Sequence, residues 1–121
     1  MEALAMAGDM RENVTAHYVE QLAFPANNAQ AGVPKPEFLI GNRITGVVIK
    51  DGAIHVTLGN KVSKLLQDKT LTFRPAIVIG SPTSPIAWLC GYDTPVTGML
   101  AVGENRTDIA DEFLPLACRK S

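Results

Sequence analysis

Cysteine is scarce in this 121-residue chain, with only Cys90 and Cys118 present. They do not form a Cys-x-x-Cys pair, and no ligand set at zinc spacing surrounds them, so dithiol redox chemistry and a structural zinc are unsupported. Histidine is equally rare. His17 and His55 have no cysteine or carboxylate partner at ligand spacing, which predicts ordinary surface or boundary histidines rather than a metal or catalytic site. Aromatic residues make up 6% of the chain, and Trp88 sits inside an apolar run, better placed as core than as a platform for stacked bases. No run of about eighteen apolar residues occurs. The N-terminus lacks the basic, apolar and small-residue order of a secretory signal, so the expectation is a soluble chain. Neither sign of charge dominates. Eleven Lys and Arg against twelve Asp and Glu leave a net charge of −1 and no bulk attraction to nucleic acid or anionic lipid. Ser81 and Ser84 stand outside any nucleophile elbow, and phosphate-cradling and dinucleotide motifs are missing. The expectation is a protein with no enzymatic activity and no cofactor.

What is present fits one globular domain, with 46% hydrophobic and 19% charged residues. Leu4, Ala7, Met10, Val14, Tyr18 and Leu22 recur in steps of three or four, opposite Asp9, Glu12, Asn13 and Glu20. This is one apolar stripe of a helix over 1–23, ended by Pro25. The helical pattern starts at once after Met1 without a capping residue, as though the front of a longer helix were cut away. Residues 24–43 hold three prolines, Asn27-Asn28, Gly32 and Gly41, which predicts a long ordered loop whose Phe38-Leu39-Ile40 enters the core. Ile44 to Lys50, Asp51-Gly52 and Ala53 to Leu58 predict a β-hairpin with a type I′ turn. The consecutive Val47, Val48 and Ile49 imply a strand covered on both faces or a bulge. A short turn or irregular connection follows over 59–69. Thr70 to Ile79 is a third strand, secure only before Pro75, and Ile86 to Cys90 a fourth. Beyond Cys90, Gly91, Pro95, Gly98 and Gly103 break the pattern. Asp93, Glu104, Asp108, Asp111 and Glu112 make this stretch acidic against a single Arg106.

Cys90 and Cys118 lie 28 positions apart and read equally as a bridge or as two small buried thiols. A bridge over that distance contributes roughly 3–4 kcal/mol in the loop-closure picture. Asp108, Asp111 and Glu112 lack the spacing of a calcium loop and read as a solvated acidic turn. Lys61, Lys64 and Lys69, with Lys50 and Arg74 on neighbouring strands, form either a basic patch or an ordinary solvated face. Asn13-Val14-Thr15 and Asn105-Arg106-Thr107 match the glycosylation acceptor pattern, with Asn13 disfavoured by its place in the helix.

The order of these pieces resembles the head of a type IVa pilin across essentially the whole chain. The residues that carry the likeness are Glu2-Ala3-Leu4, the loop from Pro25-Ala26-Asn27-Asn28 to Ala31-Gly32-Val33, and Lys69-Thr70-Leu71. Ile86-Ala87-Trp88-Leu89-Cys90 and Phe113-Leu114-Pro115-Leu116-Ala117-Cys118-Arg119 complete it. The resemblance implies an α+β fold in which an N-terminal helix packs on a four-stranded antiparallel sheet (the pilin fold) with a C-terminal disulfide-bounded loop. It implies one domain over 1–121: helix 1–23, αβ-loop 24–43, sheet 44–90, and a D-region 90–118 closed by a Cys90–Cys118 disulfide.

The implied function is that of a structural subunit of an extracellular type IV pilus, or fimbrium, supporting surface adhesion and twitching motility, with DNA uptake as a further role. Implied partners are other pilin subunits in a helical filament, the pilus assembly machinery, and a host surface or DNA. The alternative is a minor or competence pilin acting as a DNA-binding or adhesin module. Family members have a methylated first residue and a hydrophobic front half of the helix, which holds them in the inner membrane before assembly. That half is absent here, so the chain as written is expected to be monomeric. The expected subunit contact pairs Asp108, Asp111 and Glu112 of one copy with Lys50, Lys61, Lys64 and Arg74 of its neighbour.

Overall fold

The computed structural model describes the backbone of residues 2–119 and side chains from Ala7 to Arg119. Met1 and the side chain of Leu4 therefore lie outside the described residues. Helix α1 spans Glu2–Gln21. Ala7, Met10, Val14 and Tyr18 of the stripe are buried, and Asp9, Glu12 and Glu20 are exposed on the other side. The helix stops short of residue 23 because Leu22 turns into the left-handed region (φ 53°), with its N–H donating to Tyr18 O at 2.8 Å. Leu22 is consequently exposed, and the Phe24 ring stacks on Tyr18 with centroids 4.3 Å apart.

The loop after the helix is more ordered than its prolines suggest. A single helical turn, α2 (Asn28–Ala31), is capped by Asn27, whose side chain accepts from Gln30 N, and is ended by Gly32 at φ 74°. A 3-10 turn follows at Pro36–Phe38. The apolar triplet splits, since Leu39 is buried whereas Phe38 and Ile40 are 71% and 60% exposed.

The sheet comprises β1 (Ile44–Lys50), β2 (Ala53–Leu58), β3 (Thr70–Val78) and β4 (Ala87–Cys90), antiparallel and in that order. Asp51 and Gly52 both adopt positive φ, which the type I′ turn requires. The register of β1 slips between Ile44 and Gly46, and this bulge lets Ile44 and Val47 both face inward, while the consecutive apolar residues follow ordinary alternation, with Val47 and Ile49 inward and Val48 out. Strand β3 continues through Pro75. It can do so because β2 pairs with β3 only as far as Ile54↔Phe73, and the residue that meets Pro75 on that side, Val102, donates its N–H to Pro75 O at 2.8 Å, a bond that needs no N–H from the proline.

The expectation of four strands is corrected to five. β5 (Met99–Ala101) emerges from the D-region and pairs with β3 over Ala76 to Val78, in the place that β2 has vacated. Residues of both layers meet in one core around Val14, Ile44, Val47, Ile54, Val56, Leu71 and Phe73. Ile109, Leu114 and Cys118 of the D-region join it. Cys90 and Cys118 are disulfide-bonded, tying the end of β4 to a final 3-10 turn at Leu116–Cys118.

Candidate functional site

The sheet has an inner face against α1 and an outer face carrying the alternate residues, among them Ala53 and His55 of β2 and Thr72 and Arg74 of β3. An irregular strap, residues 102–109, crosses the outer face. It leaves β5 with Val102 N donating to Pro75 O at 2.8 Å, and Gly103 (φ 89°) then passes so close to Ala53 that a Cβ there would sit 2.7 Å from the alanine Cβ. Arg106 N donates to Thr72 Oγ1 at 3.0 Å, and Thr72 N donates to Thr107 Oγ1 at 3.0 Å. Asp108 then pairs with Thr70 twice: its Oδ1 accepts from Thr70 N at 2.6 Å, and its N–H donates to Thr70 O at 3.1 Å. Asn105 Nδ2 donates to Gly91 O and Tyr92 Oη to Ile109 O, which fastens the strap to the turn after β4.

Beneath the strap lies His55. It is 3% exposed, against the expectation of a surface or boundary histidine, because the strap covers the face on which strand alternation places it. Its Nδ1 is 2.8 Å from Thr72 Oγ1, and its Nε2 is buried with no hydrogen-bond partner among the described residues. Burial chiefly, and Arg106 secondarily, lower its pKa to about 4.

The acidic candidates separate by role. Asp108 is engaged with the Thr70 amide, Asp111 is half-buried at the start of a 3-10 turn (Asp111–Phe113), and Glu112 is exposed. Glu104 lies 3.6 Å from Arg106 within the strap, a solvent-exposed pair of small energetic weight. The basic candidates do not form one patch. Lys61 and Lys64 share the exposed connection after β2, whereas Lys50 stands at the other end of the hairpin, about 20 Å away at 3.4 Å per residue. Arg74 is half-buried and its Nη2 donates to Asp93 O at 3.2 Å.

Hollows flank both edges of the sheet, one of about 270 Å³ lying beside Asn28, Val33, Pro36 and Val48 at the β1 edge. At the β1 edge the loop is pinned by Asn28, whose Nδ2 donates to Pro34 O and Val47 O while its Oδ1 accepts from Ile49 N at 2.7 Å. This leaves Phe38 and Ile40 projecting into solvent. At the β4 edge, three hollows of about 230, 580 and 220 Å³ follow the side of α1. The first two share Thr15 and Ile86, and the last two share Arg11 and Trp88, so they form one groove from Leu22 to the Cys90–Cys118 bridge. Among the described residues no cluster of metal-ligating side chains occurs, and no helix is long and apolar enough to cross a membrane.

Among the described residues the chain presents a helix on an antiparallel sheet, a disulfide-closed C-terminal region and open surface hollows. The sequence profile of the pilins, proteins of bacterial filaments, matches residues 1–119, and the chain belongs to that family. One curated relative is a fimbrial protein of Neisseria meningitidis serogroup A, serotype 4A, strain Z2491. It is 27% identical over 127 residues, covering 98% of this chain and 72% of the relative.

Proposed function

We propose that this chain is the single head domain of a structural subunit of a type IV pilus, and that copies join head to tail through their two unlike sheet edges. The observation that supports this reading is the placing of exposed Phe38 and Ile40 at the β1 edge and, at the opposite, β4 edge, of a groove whose two ends are mainly apolar and whose middle carries Arg11 and Glu12. A contact between two different patches does not close on itself as a twofold pair does; repeated with a rotation that does not close a ring, it yields an open helical array. Fully burying a Phe and an Ile side chain adds about 1.5–3 kcal/mol each, enough to matter when every subunit repeats the contact.

The charged groups form the rim of this contact. Lys61 and Lys64 of one copy steer toward Asp111 and Glu112 of the next, with Lys50, Arg74 and Asp108 playing lesser parts because of their positions. The subunit has no catalytic role; it is held at the inner membrane and handled by the pilus assembly machinery before it reaches the extracellular filament. Adhesion to a host surface and twitching motility are the activities such a filament supports. A DNA-binding minor pilin is the weaker reading, since the lysines are dispersed rather than aligned in a stripe.

The test is to introduce Phe38→Glu into the full-length subunit in its native cells and weigh the filaments sheared from the surface. The expected outcome is a severe loss of filaments with normal levels of oxidised subunit. Wild-type filament yield would sink the edge-to-edge reading. Deleting the gene without any change in surface filaments would sink the pilus assignment itself.

A further inference from the structure

The strap rests on a histidine that filament assembly does not call for. Thr72 Oγ1 already accepts a hydrogen bond from Arg106 N. With a neutral imidazole, the Thr72 hydroxyl hydrogen can be shared with Nδ1, and only Nε2 is left without a partner. Protonation places hydrogens on both nitrogens. With the added hydrogen at Nδ1, Thr72 Oγ1 must then accept twice, its own hydrogen loses the ring as acceptor, and the ring carries positive charge in a buried position where Nε2–H, already unpaired in the neutral form, still has nothing to receive it. The surroundings worsen the conflict. Arg106 of the strap and Lys50 of β1 oppose the charge, Glu104 of the strap alone offsets it, and β3 contributes the uncharged Thr72.

We propose that His55 and Thr72 form an acid-release latch, in which protonation of His55 frees the 102–109 strap from the outer face of the sheet while the helix and the β1–β4 ladder stay folded. The geometry suits a local rather than a global opening. Between Val102 and the buried Ile109, which stays in the core, the strap is held by a handful of hydrogen bonds, and the Cys90–Cys118 bond keeps the freed segment tethered at the far side of its loop. Lifting it gives both ring nitrogens access to water. This inference does not depend on filament assembly and is tested on the chain alone.

The sign follows from the shift. The ring titrates near 4 under the strap and at its ordinary value of 6.5 once released, so closure is fully favoured above pH 6.5 and weakens as pH falls toward 4. Between pH 8 and pH 5 the released fraction rises about 30-fold. Amide hydrogen exchange by NMR reads this directly, as protection factors corrected for intrinsic rates. The Arg106 and Asp108 amides should lose protection about 30-fold over that range through an opening insensitive to added urea, while Val56 and Leu71 in the sheet, which open only on global unfolding, stay far better protected at both pH values. In His55→Gln the strap amides should show no pH dependence. If that variant does not fold, titration of the His55 ring in the wild type decides the matter. The latch is overturned by a His55 ring titrating near 6.5, by equal strap protection at both pH values, by a loss that persists in His55→Gln, or by strap amides as strongly protected and as urea-sensitive as those of the sheet.

Discussion

Removing the Asn28 side chain should open the β1 edge at a cost that can be worked from its bonds. Asn28 is 5% exposed and makes three hydrogen bonds, two given to the carbonyls of Pro34 and Val47 and one taken from Ile49 N–H. At roughly 1 kcal/mol each, with the Ile49 donor left buried beside a void, Asn28→Ala should destabilise the fold by about 3 kcal/mol. Urea unfolding followed by the single tryptophan, Trp88, measures this. With a slope of about 2 kcal/mol per molar, the midpoint should fall by about 1.5 M. Asn28→Asp is the sharper control. It keeps an oxygen for Ile49 N–H but turns the other toward two carbonyl oxygens, so at pH 7 it should be at least as damaging as alanine. A loss below 1 kcal/mol in the alanine variant, or near-normal stability of the aspartate variant, would refute the idea that this amide closes the strand edge.

Other perturbations follow from the same geometry. Replacing Cys90 and Cys118 by serine should lower unfolding free energy by roughly 3–4 kcal/mol in the loop-closure picture, read by the same urea titration. Because the His55 pKa is about 4 in the folded chain and 6.5 unfolded, stability is complete above pH 6.5 and falls with acidification. Wild type should lose about 2 kcal/mol between pH 8 and pH 5 that His55→Gln does not, a difference accessible to denaturant titration at the two pH values. Gly103→Val places a branched side chain at φ 89° and against Ala53, so calorimetry should show a drop in Tm of several degrees, whereas the same change at Gly98, with open space around it, should cost only backbone strain.

The local features were legible where the physics is local. Asp-Gly between two β-rich runs demands positive φ at both turn positions, and Asp51 and Gly52 adopt it. The stripe through Ala7, Met10, Val14 and Tyr18 is the buried face of α1. What escaped depends on partners distant in sequence. β5 exists only because β2 ends at its turn and leaves half of β3 unpaired, which no three-residue window reveals. Asn27-Asn28 reads as a turn, correctly for the cap Asn27, but the second amide works as a surrogate strand for β1. His55 alternates onto the outer face, where the expectation is a surface or boundary position, and its burial is decided about fifty residues later by an aperiodic strap. The cations spread for the same reason: residues adjacent in composition, Lys50 and Lys61, stand at opposite ends of one hairpin.

The head-to-tail contact between unlike edges is tested most directly by placing a photo-crosslinking residue at position 40 of the full-length subunit, irradiating intact filaments and mapping the joined peptides. The expected partner is a neighbour's groove, in peptides containing Leu22 from α1 or Ile86 and Trp88 from the β4 edge. Crosslinks from position 40 to the same β1 edge of another copy, or none at all in intact filaments, would contradict it.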